Sequence, residues 1–117
     1  MNQMKIYVAA SHTEREVVHY LRDQGFDVIS TWDIDDKDYC PGNVRRAIRD
    51  LIQIQHCDLF ICNIGDEKSG GGRHTELGYA MALGKVILLV GEYDRNIFER
   101  LFPVMSYEEF QRYFSAN

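Results

Sequence analysis

No apolar run in this chain approaches the ~20 residues needed to cross a bilayer. Met1 to Ala10 lacks the basic start and long apolar middle of a signal peptide, so a cytoplasmic protein is expected. Basic charge is scarce: 13 Lys and Arg stand against 18 Asp and Glu, for a formal net charge of −5. Nucleic-acid polymers and anionic membranes both need a basic surface, so neither is an expected partner. Cysteine is scarce and unpaired, since Cys40, Cys57 and Cys62 are odd in number and none stands in a CxxC spacing. Cys57 and Cys62 fall in or beside one predicted strand, five positions apart, which sends their side chains to opposite faces. Free thiols are expected and no metal site. Internal repeats, linkers and low-complexity tracts are missing as well. With 117 residues, the chain is expected to form a single domain, 1–117, long enough for one proper core and too short for two.

What is present is an alternation of apolar segments. Lys5 to Ala9 is β-prone and reads as a first strand. Thr13 to Gln24 carries Val17, Val18 and Leu21 at helical spacing, with Gly25 as a natural stop. Phe26 to Ile29 makes a second strand, and the acidic stretch Ser30 to Gly42, ending in Pro41-Gly42, makes a loop. Asn43 is placed to cap a helix with Val44, Ala47, Ile48, Leu51 and Ile52 on one face. Asp58 to Asn63 is a third strand, Asp58 tying down the neighbouring turn. Glu76 to Leu83 is a third helix closed by Gly84. Val86 to Val90 is a fourth strand, continuously apolar as parallel strands covered on both faces are. Arg95 to Leu101 suggests a short helix, Val104-Met105 a fifth short strand, and Tyr107 to Phe114 a terminal helix. Strands alternating with helices predict an α/β fold: a doubly wound parallel sheet of about five strands, flavodoxin-like, with helices on both faces. Ligands in such folds bind beyond the carboxyl ends of the strands, where the strand order reverses. The loops Ala10 to His12, Thr31 to Pro41 and Gly65 to His74 all lie on that edge.

The most informative of these loops is Ser69-Gly70-Gly71-Gly72-Arg73-His74-Thr75-Glu76. Glycines allow the backbone close to a ligand without Cβ clashes. The predicted helix start places Glu76 in the first turn, where free N–H groups and the dipole favour negative charge. An ionised carboxylate beside a ligand loop is what covalent catalysis requires; the structural alternative is a plain turn with a carboxylate complementing the dipole. Walker A is excluded, because Arg73-His74 stands where Lys-Ser/Thr is needed. A dinucleotide fingerprint would follow the first strand, where Ala9-Ala10-Ser11 stands instead. His74 and Glu76 match the start of a zinc-deaminase motif, but no PCxxC follows. A second carboxylate, Asp50, lies near the end of the second helix behind Arg45, Arg46 and Arg49. Its structural alternative is a surface ion pair worth ~0–1 kcal/mol.

Tyr7 in the first strand, Asp50, the Cys-Asp start of an apolar strand, the glycine loop and Glu76-Leu77-Gly78-Tyr79-Ala80 together resemble the nucleoside 2-deoxyribosyltransferase family. That family includes the 2'-deoxynucleoside 5'-phosphate N-hydrolases. The resemblance runs from Lys5 through the apolar strand ending at Val90. It implies cleavage of the N-glycosidic bond of a deoxynucleoside or deoxynucleotide, a small-molecule substrate, without a cofactor. By resemblance Glu76 is the nucleophile that attacks the anomeric carbon, Asp50 the acid/base, and Tyr7 the residue that holds the nucleophile. The residue types suit that chemistry, which pairs one carboxylate that traps an oxocarbenium-like centre with one carboxyl that handles the proton.

The loop departs from the family pattern: Gly70 stands six residues before the nucleophile, where a polar residue often contacts sugar or phosphate. Arg73 and His74 give the loop a cationic tip, which suggests an anion site and tighter binding of a monophosphate. Substrate-binding candidates are Ser11, Trp32, Ser69, Gly70, Gly71, Gly72, Arg73 and His74, with His12 beside them. Trp32 either stacks on a nucleobase or packs in the core; Ser11 either meets the ligand or caps the first helix. Tyr79 and Leu83 form a second apolar stripe on the third helix, which predicts a homodimer or larger homo-oligomer, with Glu92 to Asn96 completing the neighbouring site. The alternative to an enzyme is an idle nucleotide-binding sensor that uses the same loop.

Overall fold

Residues of alternating parity on one strand feed two separate cores. In the computed structural model, which describes residues 3–10, 14–34, 42–64, 71–91 and 97–115, the first strand is β1 (Lys5–Ala9). Tyr7 and Ala9 enter one apolar cluster, and Ile6 and Val8 the other. The period-two geometry of a strand covered on both faces requires this. The remaining elements are α1 (Glu16–Asp23), β2 (Asp27–Val28), α2 (Asn43–His56), β3 (Leu59–Asn63), α3 (Gly71–Ala82), β4 (Val86–Val90), β5 (Val104–Met105) and α4 (Tyr107–Tyr113). Short 3₁₀ turns cover Trp32–Ile34 and Glu99–Leu101.

All strand pairings are parallel, in the order β2-β1-β3-β4-β5. This is the expected flavodoxin-like doubly wound sheet, with its switch point between β1 and β3. On one face α1 and α4 supply Val17, Val18, Leu21 and Phe110 to the cluster with Ile6, Val8, Leu59, Ile61 and Val90. On the other, α2 and α3 supply Ile54, Leu77 and Ala80 to the cluster with Tyr7, Phe60, Cys62 and Leu89. Gly25 and Gly84 adopt φ of +88° and +71°, the left-handed turn that lets the chain leave α1 and α3.

Several elements differ from the sequence reading. The third helix begins at Gly71 rather than Glu76, so two of the loop glycines are helical and Glu76 lies in the second turn, beyond the reach of the dipole's end. α2 is capped by Gly42 at φ +88°, and Asn43 is its first helical residue with no side-chain cap. α1 starts from Arg15, and Ser11, the expected cap, lies outside the described residues. Val86 is exposed at the entry of β4. Cys57 closes α2 and precedes the strand, so strand parity does not govern it, and Cys57 and Cys62 meet in the same core. Cys40 lies outside the described residues.

The apolar face of α2 points outward. Val44, Ile48 and Ile52 are 73%, 52% and 46% exposed, and Ile54 is the one buried residue of this helix. The helical spacing holds, but the side turned to the sheet carries Asp50, Gln53 and Ile54. A polar site occupies the space that a core would have filled.

Candidate active site

Tyr7 stands mid-strand in β1 and its ring stacks on Phe60 of β3, centroids 5.7 Å apart and planes 9° apart. Offset stacking of this kind fixes a ring's plane, and the plane aims the hydroxyl at α3. There the Tyr7 hydroxyl donates to Glu76 Oε2. Asp50 of α2 lies on the same face, near enough that its charge bears on both groups. Arg49 holds Asp50 Oδ1 through Nε at 3.1 Å and Nη2 at 2.9 Å. Three of the residues singled out from sequence, on three different elements, therefore converge.

The electrostatics follow from this packing. Burial pushes the Glu76 carboxyl up to about 7; the Asp50 charge adds to that, while the Tyr7 hydrogen bond and Arg49 oppose it. The expectation that a helix start keeps Glu76 ionised is corrected: Tyr7, not the dipole, favours its charged form. The Tyr7 phenol is driven far above its ordinary range by burial and by the two neighbouring carboxylates, so it stays a hydrogen-bond donor.

Of the loop candidates, Ser11, His12, Ser69 and Gly70 lie outside the described residues, as does the Glu92 to Asn96 segment. Gly71 and Gly72 open α3. His74 is exposed and lines a cavity of about 460 Å³ with Leu77, Gly78, Met81 and Phe98. Arg73 does not form the expected cationic tip. It is 6% exposed, its Nη2 lies 3.7 Å from Glu99 Oε2, and its Nη1 donates to the Asn63 carbonyl at 3.3 Å. A guanidinium on the third helical residue reaches inward to the end of β3, where a buried carboxylate compensates it.

Trp32 donates its indole N–H to the Val8 carbonyl at 2.7 Å and packs against both cores. Its turn is anchored by Asp33, whose carboxylate accepts from Arg22, while Arg22 Nη2 also donates to the Ser30 carbonyl at 2.6 Å. This is the packing outcome of the two readings of Trp32. The expected second stripe on α3 is half absorbed within the chain: Tyr79 packs on the core of its own sheet and accepts from Gln55 Nε2 at 2.6 Å, whereas Leu83 stays exposed.

Sequence reasoning missed Glu99 and Asn63. A lone glutamate in a short irregular segment carries no periodic signal, and an asparagine ending an apolar strand reads as a turn former. Among the described residues no cluster of three or more His, Cys, Asp or Glu is arranged to hold a metal, and no helix is long and apolar enough to cross a membrane.

Comparison with known proteins agrees with this fold. Solved structures similar to this chain include a 2-desoxiribosyltransferase from Leishmania mexicana, at 28% identity and TM-score 0.57, covering 83% of this chain and 70% of that one. A 2-deoxyribosyltransferase from Bacillus psychrosaccharolyticus superposes with TM-score 0.72 at 23% identity, over 97% of this chain and 92% of its own. The CMP N-glycosidase BcmB from Clostridium botulinum gives a TM-score of 0.59 at 24% identity, over 93% and 96%. Among curated proteins, none matches this chain. The family model for nucleoside 2-deoxyribosyltransferase matches residues 7–116, a span that holds Tyr7, Asp50 and Glu76, and the chain therefore belongs to the nucleoside 2-deoxyribosyltransferase family.

Proposed function

We propose that this protein cleaves the N-glycosidic bond of a 2'-deoxynucleoside or its 5'-monophosphate through a covalent deoxyribosyl–Glu76 intermediate. The observation that carries this reading is the Tyr7–Glu76 hydrogen bond beside Asp50 in a half-buried site. In the first step the base leaves C1' with the electrons of the C–N bond, taking a proton from Asp50, and a Glu76 oxygen bonds to C1'. In the second, Asp50 removes a proton from a water or an incoming base, which displaces Glu76 and frees the sugar or a new nucleoside. The step needs Glu76 without its proton, and Tyr7 supplies the hydrogen bond that favours that form. Arg73 is committed to Glu99, so a preference for monophosphates does not rest on it.

The test is incubation with 2'-deoxynucleosides and their 5'-monophosphates, with and without a free acceptor base, for wild type and Glu76→Ala. Wild-type release of base, and its loss by about four orders of magnitude in the variant, is the expected result. New nucleoside marks transfer and free sugar marks hydrolysis. Binding without turnover by the wild type would instead identify a nucleotide sensor.

The same reading includes a homodimer built on α2. Val44, Ile48 and Ile52 make an exposed apolar stripe on successive turns, larger than scattered surface apolars require. A surface cavity of about 440 Å³ lined by Arg45, Ile48, Arg49, Ile52 and Gln53 adjoins Asp50, so a partner seated there borders the site. Light scattering is expected to show a dimer at micromolar concentration and a monomer for Ile48→Asp; a monomeric wild type with full activity refutes the dimer.

A further inference from the structure

We propose that the buried Arg73–Glu99 pair is a positioning device for Glu76, clamping the glycine-rich first turn of α3 to the end of β3 and to the connection between β4 and β5. This inference rests on the reading of Glu76 as nucleophile. α3 opens with Gly71 and Gly72, each ~1 kcal/mol poorer than alanine as a helix former. A helix start of that composition does not hold its own direction, yet Glu76 one turn later must meet the Tyr7 hydroxyl. Arg73 supplies the missing restraint. It donates to the carbonyl of Asn63, the last residue of β3, and its guanidinium faces Glu99. Asn63 is itself held, its Nδ2 donating to Glu16 Oε1 of α1 at 3.1 Å. The chain of contacts thus runs from α1 through β3 and α3 to the Glu99–Leu101 turn.

Arg73 and Glu99 are 6% and 2% exposed. A desolvated pair of this kind is an inefficient way to add stability, because apolar side chains of equal volume often do as well or better. What the guanidinium adds is direction: its Nη1 bond to the Asn63 carbonyl at 3.3 Å orients the side chain, and the 3.7 Å charge pair keeps Glu99 opposite it. The Cys62 thiol beneath the site lies within the fields of Arg73, Glu99 and Glu76 together, which places the clamp against the nucleophile's own neighbourhood. The groups facing Glu76 are Tyr7 from β1, Asp50 and Arg49 from α2 and Cys62 from β3; Arg73 acts on it through the helix.

The experiment replaces the pair by apolar residues, Arg73→Met with Glu99→Leu, and follows melting temperature, kcat, KM and the pH dependence of kcat/KM. Deoxyadenosine, deoxycytidine and their 5'-monophosphates serve as substrates, and a carboxyl NMR titration of Glu76 runs on the free protein. The expected result is a folded protein of similar melting temperature whose kcat falls about tenfold or more, the cost of a small misplacement of the reacting group. KM should change less than about twofold, and the Glu76 titration should leave its position near 7. Glu99→Gln, which keeps shape and removes charge, carries the same expectation for kcat, KM and the Glu76 titration at a lower melting temperature, since it breaks a buried pair, and decides the matter should the double variant not fold. Unchanged kcat and an unchanged Glu76 titration in a folded variant overturn the clamp. Undiminished activity in Glu76→Ala overturns it by a different route, since the nucleophile reading then fails first.

Discussion

The two helical layers of this sheet solve different problems with similar material. On the α1/α4 side the helices turn apolar faces inward, and aromatic rings close the layer: Tyr20, Tyr107, Phe110 and Phe114 make a run of edge and stacked contacts with centroids 4.9–6.5 Å apart. On the α2/α3 side, α2 turns Asp50, Gln53 and Ile54 inward and leaves Val44, Ile48 and Ile52 outside. The first layer spends its burial on cohesion. The second gives up core volume to a site, and the apolar surface it cannot bury reappears on the outside of the same helix. A layer holding carboxylates is thereby joined to an exposed apolar surface, with Arg49 and Gln53 bordering both.

This contrast can be broken by substitution. Asp50→Asn is expected to lower kcat by about 10²–10⁴, the range for a general acid/base. Thermal stability should move little, because its pairing with Arg49 is part-exposed and worth ~0–1 kcal/mol; steady-state kinetics and calorimetry check both halves. Phe110→Ala, in the other layer, should cost about 3–5 kcal/mol by denaturant titration while the folded fraction keeps its kcat.

One chemical change made in both layers sharpens the comparison. Tyr7→Phe removes a hydrogen bond to a carboxylate and should slow cleavage by about tenfold to a hundredfold. Tyr107→Phe removes a 3.4 Å exposed bond to the Glu16 carbonyl and should stay within about 0.5 kcal/mol of wild type in stability, with activity intact.

The pH dependence has a fixed sign. Glu76 titrates near 4.5 when unfolded and near 7 when folded. Its contribution is therefore complete below about 4.5, declines as pH rises and is lost above about 7. Glu76→Gln should match wild type at pH 4 and exceed it at pH 8 by up to about 3 kcal/mol, read as a melting-temperature difference that opens with pH.

Much of this was legible in the sequence because it is local. The strands at Lys5–Ala9, Val86–Val90 and Val104–Met105 coincide with their apolar runs, and Gly25 and Gly84 mark their turns through backbone freedom. The convergence of Tyr7, Asp50 and Glu76 was legible by resemblance, and the parallel topology explains it: all three stand on the face covered by α2 and α3. What stayed hidden depends on direction rather than period. The spacing of Val44, Ile48 and Ile52 reveals a stripe but not which way it faces. Arg73 reads as a loop cation until Glu99, 26 positions on in sequence, is brought beneath it. α4 begins at Tyr107, as its sequence pattern predicts, behind a capping box of Ser106 and Glu109 with bonds of 3.0 and 3.1 Å.

Tyr7 and Glu76 are 69 positions apart, and that separation has a temporal meaning. Synthesis at roughly 5–20 residues per second puts several seconds between the appearance of the two. During that interval β1 has its first neighbours but nothing to receive its phenol. If Glu76 is the nucleophile proposed above, a nascent chain cannot attack its substrate before the third helix has emerged. By the same logic, a nick or truncation that releases β1 silences the chemistry at once, so turnover measures how much of the population is whole.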